Sequence, residues 1–254
     1  MTAGGAASAA GPPGAFESET MSDSRQGLFN NISKDYDELN DMLSLGQHRV
    51  WKKMTIQWAR AQAGDRALDI CCGSGDIALQ LAKQVGMSGS VVGLDFAQNM
   101  LDYADSRQRG LPRFGDQCSV EWVQGDAMQL PFPDEEFDAI TMGYGLRNVS
   151  DRPKALSEIY RVLKPQKWAA VLDFNHSSNE VVDTFQNFVL ENVVVLAARD
   201  RGLEKEYEYL RPSILAFPSG KEQELLAFEA GFSRAAHYEI GFGNMGVLVV
   251  QKEW

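Results

Sequence analysis

Apolar positions along the chain alternate between short strand-like runs and segments with helical spacing. The strand-like runs lie at 67–70, 91–94, 120–123, 138–142 and 169–174. Between and before them, apolar spacing predicts helices at 47–61, from Ile77 to Val85, at 98–107 and at 154–163, the last of which Pro165 ends. Strands that alternate with helices in this way predict an α/β protein with a mostly parallel sheet and helices on both faces.

Two further runs near the end of the chain predict a different connection. Residues 235–240 and 247–251 flank a segment rich in glycine at 241–246. Short strands on either side of such a turn predict an antiparallel hairpin. With the five earlier runs, the predicted sheet has seven strands.

The segment 67–76 contains the most informative loop of the sequence. An apolar run that includes Asp69 leads into Gly73-Ser74-Gly75, and a helical pattern follows. Glycine permits a tight turn and a close approach of backbone to ligand. The segment therefore predicts a loop that binds a nucleotide-type cofactor at the carboxyl end of the first strand.

Two classes of cofactor compete for this loop. With Ala78 in the third glycine position and an acid about 20 residues further on, the loop fits the NAD pattern. The same side of the predicted sheet, however, has four acids that would repel a pyrophosphate. A sulfonium, an ammonium and two ribose hydroxyls suit them better, which favours S-adenosylmethionine. These acids are Asp69, Asp76, Asp95 and Asp126.

Two of these acids have more specific interpretations. Asp95 ends a short apolar strand, where its carboxylate can accept hydrogen bonds from both ribose hydroxyls. Asp126 follows the next strand and can accept one from an adenine amine. Each of them alone is also explained as the cap of the following helix or turn. Their repetition at strand ends favours one polar cleft.

Composition limits the classes of partner. The chain has 254 residues, of which 44% are hydrophobic, and a formal charge of -11. Such a charge argues against nucleic acid and against broad electrostatic adhesion to anionic lipid. The three cysteines do not make a disulfide framework, and the adjacent Cys71 and Cys72 are interpreted as small buried residues. No apolar run approaches the length of a bilayer span.

The first 27 residues differ from the rest of the chain. They are rich in Ala, Gly, Ser and Pro and are predicted to be disordered, as a remnant of a targeting segment can be. Against targeting, the segment contains Glu17 and Glu19 and has no arginine before Arg25. A folded domain is predicted over 28–254.

Four motifs resemble one family. They are Leu-Gly-Gln-His-Arg-Val-Trp-Lys at 45–52, Asp-Ile-Cys-Cys-Gly-Ser-Gly-Asp at 69–76, Met-Gly-Tyr-Gly-Leu-Arg-Asn-Val at 142–149 and Leu-Asp-Phe at 172–174. Together they resemble the quinone-pathway C-methyltransferases of the UbiE/MenG family, from about residue 28 to the C-terminus. The resemblance implies the Rossmann-like fold of class I S-adenosylmethionine-dependent methyltransferases. Its Cys-Cys-Gly-Ser-Gly loop is similar to the phylloquinone branch of plants, algae and cyanobacteria.

The resemblance also implies a set of donor-binding residues. It transfers cofactor contacts to Ser74, Asp95, Asp126, Ala127 and Gly143. The loop argument adds Asp69, Gly73 and Gly75, and Phe96 directly after Asp95 completes the set. No metal site is expected.

The implied reaction is methylation of a ring carbon of 2-phytyl-1,4-naphthoquinol in phylloquinone synthesis. Other acceptors stay open, among them demethylmenaquinol and a benzoquinol precursor of ubiquinone. A non-catalytic donor-binding subunit is a third interpretation, which the intact glycine loop disfavours. By its branch, the protein is expected in the chloroplast, or in the cytoplasm near the thylakoid of a cyanobacterium.

Three candidate catalytic residues follow the fourth predicted strand. Arg147 stabilises a quinolate oxygen or forms an ion pair with Asp173 or Asp151. Asn148 holds a quinol hydroxyl or caps the next helix. Tyr144 donates to a quinol oxygen or packs against the cofactor.

Two more candidates lie elsewhere in the chain. Asp173 ends the fifth predicted strand and is either the base that removes the ring proton or a structural residue. His48 either reaches the substrate or is a solvated histidine on a helix.

A helical insert at about 178–218 is predicted to shelter the isoprenoid tail, unless its apolar residues are ordinary core. Its apolar faces include Val181, Phe185, Phe188, Val189 and 193–196. Sheltering a phytyl chain predicts peripheral membrane contact without insertion. The expected partners are thus a prenylated naphthoquinol and a membrane surface, with a homo-oligomer left open.

Overall fold

The computed structural model of the protein describes residues 46–111, 117–175 and 212–253. Within these ranges the strands are β1 (Arg66–Ile70), β2 (Ser90–Asp95), β3 (Val120–Gln124), β4 (Phe137–Gly143), β5 (Leu163–Phe174), β6 (Arg234–Ile240) and β7 (Met245–Gln251). The helices are α1 (His48–Trp58), α2 (Asp76–Val85), α3 (Gln98–Gly110), α4 (Arg152–Val162) and α5 (Gly220–Glu229). Short 3-10 turns lie at Leu146–Asn148 and Gly241–Gly243.

The strands form one sheet in the order β3-β2-β1-β4-β5-β7-β6. The first five strands in the chain pair in parallel, and β7 lies antiparallel between β5 and β6. The predicted α/β fold with a terminal antiparallel hairpin is therefore confirmed. The strand order reverses between β1 and β4, the point at which open α/β sheets bind ligands.

The main difference from prediction is the length of β5. This strand begins at Leu163, directly after α4, instead of at residue 169. Its first part contains Pro165, which has no N–H to donate, and the pairing with β4 shifts register between Phe137 and Ala139. The apolar run at 169–174 predicted the regular part of the strand. The irregular part around Pro165 has no such run and was therefore not predicted.

Two apolar layers cover the two faces of the sheet. One layer packs beneath α1 and α2 and includes Ile56 and Ile77. The other packs beneath α4 and α5 and includes Leu156 and Ala227. This division explains why the predicted helices have one apolar stripe each.

Several predictions lie wholly or largely outside the described residues. They concern the N-terminal segment and the predicted tail-binding residues between Val181 and 196. At the described end of the predicted insert, Phe217 is buried in the core beneath α5. Within the described ranges, no helix is long and apolar enough to cross a membrane.

Candidate active site

A cavity of about 320 Å³ lies at the carboxyl edge of the sheet, beside the reversal of strand order. This volume is within the range of small-molecule sites. Ten of the predicted site residues line it: Asp69, Gly73, Ser74, Asp95, Phe96, Asp126, Ala127, Gly143, Tyr144 and Asn148. Residues separated by up to 79 positions in the chain thus meet because the carboxyl ends of parallel strands share one edge.

The glycine loop folds tightly between β1 and α2. Gly73 and Gly75 have φ angles of 52° and 83°, which residues with a Cβ rarely adopt. A Cβ on Gly75 would also lie 2.6 Å from the ring of Trp122, which packs beneath the loop from β3. Gly75 is therefore needed for the shape of the loop and precedes α2 without itself lining the cavity.

Asp95 connects the end of β2 to the glycine loop. Its carboxylate accepts hydrogen bonds from the N–H groups of Gly73, at 2.8 Å, and Ala97, at 2.9 Å. Burial raises the pKa of Asp95, although these backbone donors oppose the rise. The Phe96 N–H also acts on this carboxylate. A carboxylate has about four lone-pair sites, so at least one acceptor position is left for a hydroxyl of a ligand.

Asp69 supplies a second carboxylate to the cavity from β1. The Thr141 hydroxyl donates to its Oδ1 at 2.8 Å, and its buried Oδ2 has no hydrogen-bond partner of ordinary geometry among the described residues. Burial raises the pKa of Asp69 to about 7, and Thr141 and the Ala78 N–H offset this only in part. An orphaned buried carboxylate oxygen beside a cavity fits a cationic ligand group.

Asp126 differs from these two acids because it is exposed. Its Oδ1 accepts a hydrogen bond from the Met128 N–H at 2.8 Å, which closes the turn after β3. The next residue, Ala127, is buried against the cavity, and Phe96 borders it half-buried from the end of β2. Both the turn-closing and the ligand-binding interpretations of Asp126 are compatible with this geometry.

The argument from four acids needs one correction at Asp76. This carboxylate forms ion pairs with Lys52, at 2.7 Å, and with Arg107. Burial raises the pKa of Asp76, but the two cations outweigh it and hold the pKa below its usual value. Asp76 is therefore neutralised within the protein, and three acids are left to face a ligand.

Lys52 is a cavity residue that the sequence analysis missed. It lies on the buried face of α1, and its ammonium reaches Asp76 beside the glycine loop. A lysine among apolar positions of an amphipathic helix was the available signal, since lysine is rarely buried unless it is paired.

Two cavity residues other than glycine have left-handed backbone. Cys71 follows β1 with φ 54°, and Tyr144 follows β4 with φ 59°. This conformation is unfavourable for residues with a Cβ, and such strain concentrates at functional sites. Burial raises the pKa of the Cys71 and Cys72 thiols well above the usual value, so both stay protonated.

Arg147 forms a buried ion pair with Asp173, which is the alternative weighed for it from the sequence. Its Nε lies 3.3 Å from Asp173 Oδ1, and its backbone N–H donates to Asp173 Oδ2 at 2.9 Å. Its guanidinium also donates to the Ser213 hydroxyl at 2.9 Å. Neither member of the pair is among the cavity-lining residues. Ser213 is 66 positions away in the chain, so no local pattern predicts its contact with Arg147.

The expectation that Asp173 is available as a base does not fit its contacts. Its Oδ1 also accepts from the Phe174 N–H at 2.8 Å, and the residue is buried. Burial raises the pKa of Asp173, and Arg147 opposes this rise. The carboxylate is surrounded by donors of its own chain and is not among the cavity-lining residues.

Asn148 lines the cavity and does not cap α4. Its amide donates to the Tyr144 carbonyl at 3.0 Å, and its side-chain oxygen accepts from Arg147 at 3.3 Å. The cap of α4 is Asp151, which accepts from the Lys154 N–H. Asn148 therefore fixes the turn that presents Tyr144.

His48 is buried in the first turn of α1 and is not among the cavity-lining residues. The interpretation of His48 as a solvated histidine is therefore wrong, because this turn packs against the body of the domain. Within the described ranges, no cluster of His, Cys, Asp and Glu side chains is arranged to hold a metal ion.

Comparison with known proteins places the chain among methyltransferases. Residues 18–252 match the ubiE/COQ5 methyltransferase family. The chain belongs to this family. The resemblance stated from the four motifs is thereby confirmed.

Two named relatives cover nearly the whole chain. One is the chloroplastic 2-phytyl-1,4-beta-naphthoquinone methyltransferase of Arabidopsis thaliana, 53% identical over 91% of this chain and 88% of the relative. Another is the 2-phytyl-1,4-naphtoquinone methyltransferase of Nostoc punctiforme, 52% identical over 91% of this chain and all of the relative.

Solved structures share the fold at low sequence identity. A SAM-dependent methyltransferase from Aquifex aeolicus matches with a TM-score of 0.61 and 21% identity, over 87% of this chain and 97% of its own. One from Thermotoga maritima matches with a TM-score of 0.62 and 19% identity, over 90% and 99%. These likenesses support the architecture of the sheet and its helices.

Proposed function

We propose that this methyltransferase uses S-adenosylmethionine to methylate a ring carbon of 2-phytyl-1,4-naphthoquinol in phylloquinone synthesis. The observation that carries the proposal is identity of about half the residues to relatives named for this acceptor, over 91% of the chain. The cavity adds three acids and a glycine loop at the edge of the sheet where such a donor binds.

The residues of the cavity fit each part of the donor. Asp69 offers a buried carboxylate oxygen to the ammonium of the donor. Lys52, the one lysine or arginine among the described lining residues, can attract the carboxylate of the donor while it pairs with Asp76. Asp95 has an acceptor position for a ribose hydroxyl, and Asp126 lies at the exposed end, where it can accept from the adenine amine. The donor supplies an electrophilic methyl group on a positively charged sulfur.

The acceptor side of the cavity is the wall that follows β4. Tyr144, Gly145, Asn148 and Val149 line it, and Met128 faces the same space. A quinol hydroxyl held by Tyr144 or Asn148 makes the ring electron-rich at the carbon beside it. That carbon attacks the methyl group, the bond from methyl to sulfur breaks, and neutral S-adenosylhomocysteine is the leaving group. The ring then loses its proton to water. The protein contributes alignment of the reacting groups, which is worth about 7–11 kcal/mol in favourable cases.

The Arg147–Asp173 ion pair supports this wall of the cavity without lining it. Arg147 donates a hydrogen bond to the side-chain oxygen of Asn148 and so orients that residue. Asp173 accepts a hydrogen bond from the Arg147 N–H and so holds the backbone of the same turn. We therefore assign to this pair the positioning of Tyr144 and Asn148 instead of direct contact with the acceptor.

The relatives also bear on where the protein works. The plant relative is named chloroplastic, and others come from cyanobacteria. We infer a plastid location, which a fluorescent fusion of the full chain would test against one that lacks residues 1–27. If both forms accumulate in the same compartment outside plastids, the inferred location is wrong.

The acceptor is tested with a panel of dithionite-reduced quinols and a methyl-labelled donor. The proposal predicts that 2-phytyl-1,4-naphthoquinol gains one methyl on a ring carbon, which mass spectrometry and NMR identify. Turnover of a prenylated benzoquinol is expected to be at least tenfold lower. Preferred methylation of the benzoquinol, or transfer to a quinol oxygen, would contradict the proposed acceptor.

The role of the acceptor wall is tested with Asn148→Ala and Tyr144→Phe. Loss of an oriented hydrogen bond should lower kcat by about 10- to 100-fold and leave the donor Kd within about twofold. The conservative Val149→Ile on the same wall serves as the control for altered packing.

A further inference from the structure

One surface of the domain combines exposed apolar residues with cations. It is formed by Arg49, Val50 and Lys53 of α1, by Tyr238 of β6, and by Phe242 in the turn between β6 and β7; we name it the α1 surface. Phe242 is 91% exposed, Val50 57% and Tyr238 47%. These are large apolar side chains to leave in water on one side of a protein.

Contacts place Tyr238 and the turn that contains Phe242 against α1, whose exposed side includes Arg49, Val50 and Lys53. A Cβ on Gly241 would lie 2.8 Å from the ring of Trp51, so the turn that contains Phe242 packs on α1. Further along α1, Trp58 stacks on Tyr238 with ring centroids 5.2 Å apart. Two half-buried tryptophans of α1 thus join this helix to Tyr238 and to the turn of Phe242. Trp and Tyr are enriched where proteins meet the membrane interface.

Phe242 is exposed in spite of an unfavourable backbone. Its φ of 58° and ψ of 30° lie in the left-handed region, which an aromatic residue seldom adopts. A strained and nearly fully exposed phenylalanine gains no packing from the described part of the chain. The position therefore favours a contact with a partner other than the described part of the chain.

The charge of α1 contrasts with that of the whole chain. Residues 46–64 contain Arg49, Lys52, Lys53 and Arg60 and no Asp or Glu, although the chain has a formal charge of -11. Lys52 is buried against Asp76, and Arg60 packs over the ring of Trp168. Arg49 and Lys53 are exposed one helical turn apart.

The α1 surface lies beside the acceptor side of the cavity. Met245, three residues after Phe242, pairs with Phe174 at the end of β5. The Phe174 ring in turn packs on Tyr144, with centroids 5.6 Å apart, and Tyr144 lines the cavity. An acceptor molecule that departs from a lipid layer in contact with this surface therefore has a short path to the reacting groups.

We propose that the α1 surface binds a lipid bilayer that contains anionic headgroups. Phe242 and Val50 enter the interface, and Arg49 and Lys53 contact the headgroups. The proposal rests on the proposed function, because a phytyl quinol partitions into bilayers. The acidic remainder of the chain confines the contact to this surface and sets the orientation in which the cavity faces the lipid.

Vesicle flotation of the full chain tests the proposal without any methyl acceptor. The wild type should bind phosphatidylcholine vesicles that contain phosphatidylglycerol. Phe242→Asn should weaken binding about tenfold, because an apolar anchor is lost. Asparagine tolerates the left-handed backbone, so this variant should fold. Lys53→Gln should weaken binding about fivefold on these vesicles and have no effect on pure phosphatidylcholine.

Phe228→Gln is the matched control. Phe228 is 47% exposed on α5, which covers the opposite face of the sheet, so its loss should leave vesicle binding unchanged. Equal loss of binding in this variant and in Phe242→Asn would contradict the proposal. So would wild-type protein that ignores both kinds of vesicle but forms dimers that Phe242→Asn abolishes, because a second copy would then cover the surface.

Failure of the proposed function would look different. Methyl transfer to detergent-dispersed phytyl-naphthoquinol should be the same for wild type and Phe242→Asn. A chain that binds vesicles through the α1 surface but transfers no methyl group to this quinol would support the membrane site and contradict the proposed acceptor.

Discussion

At the scale of single residues, the site depends on acids whose oxygens are only partly used by the protein. Asp95 holds the glycine loop and keeps an acceptor position for a ligand. Asp69 has one buried oxygen without a hydrogen bond of ordinary geometry among the described residues. Asp76, which the sequence analysis grouped with these acids, is neutralised by ion pairs with Lys52 and Arg107. Sequence alone did not separate these cases, because the neutralising cations come from other elements.

Asp95→Asn should weaken donor binding by about 10- to 100-fold. The amide loses the charge that strengthens hydrogen bonds to ribose hydroxyls, and its NH2 group opposes a backbone donor of the loop. Titration calorimetry with S-adenosylmethionine measures the effect. Asp102→Asn, an exposed acid on α3 that bonds only Gln98 among the described contacts, is the control and should bind as the wild type does. Equal affinities for all three proteins would refute the assigned role of Asp95.

The affinity for the donor should depend on pH through Asp69. Because its pKa is raised to about 7, the carboxyl is mostly protonated below that pH and must lose a proton before it can pair with an ammonium. Between pH 7 and pH 5.5, affinity should fall by up to about tenfold per unit, with proton release on binding.

Calorimetry in two buffers of different ionisation enthalpy counts these protons. Asp69→Asn should bind the donor more weakly and without the proton release. A wild-type affinity that stays constant from pH 5.5 to 7 would show that Asp69 does not face the ammonium.

At the scale of elements, two connections shape the site. The glycine loop joins β1 to α2 over the ring of Trp122, and the turn after β4 is held from behind by β5. The glycines were legible in the sequence because a tight turn requires them. The contacts of Arg147 with Asp173 and Ser213 were harder to predict from the sequence, because they join residues 26 and 66 positions apart.

Gly75→Ala should destabilise the protein by about 2–4 kcal/mol. Alanine is strained at φ 83°, and its Cβ would overlap the Trp122 ring and the Cβ of Ala104. Gly110→Ala is the control: no atom lies within 4 Å of its added Cβ, and it ends α3. That change should be neutral or slightly stabilising in urea unfolding. If both variants unfold at the same urea concentration as the wild type, the loop does not require Gly75.

Asp173→Ala should cost about 3–5 kcal/mol of folding free energy, because it leaves the Arg147 charge buried without its partner. The double variant Arg147→Met with Asp173→Leu should recover most of this loss, which urea unfolding of both proteins measures. Both proteins should have a strongly reduced kcat, since Asn148 loses its orientation. A stable, fully active Asp173→Ala would contradict the positioning role of the pair.

At the scale of the whole molecule, most of the fold was predictable. Apolar periodicity located the seven strands, because each strand buries apolar side chains against the neighbouring layers. The parallel order of the strands brought Asp69, Asp95 and Asp126 to one edge of the sheet. The irregular start of β5 and the buried position of His48 were not predictable, because both depend on packing between distant elements. The surface of α1 likewise becomes visible only when the β6–β7 turn packs against it.

The central claim is that three acids at this edge select a cationic sulfur donor over a pyrophosphate cofactor. Calorimetry on the purified full chain tests it most directly, with S-adenosylmethionine, its demethylated product and NADH titrated separately. The account predicts saturable heat for the first two and none for NADH, with binding of the first two weakened by Asp95→Asn. Saturable binding of NADH, with none for either sulfur compound, would contradict it.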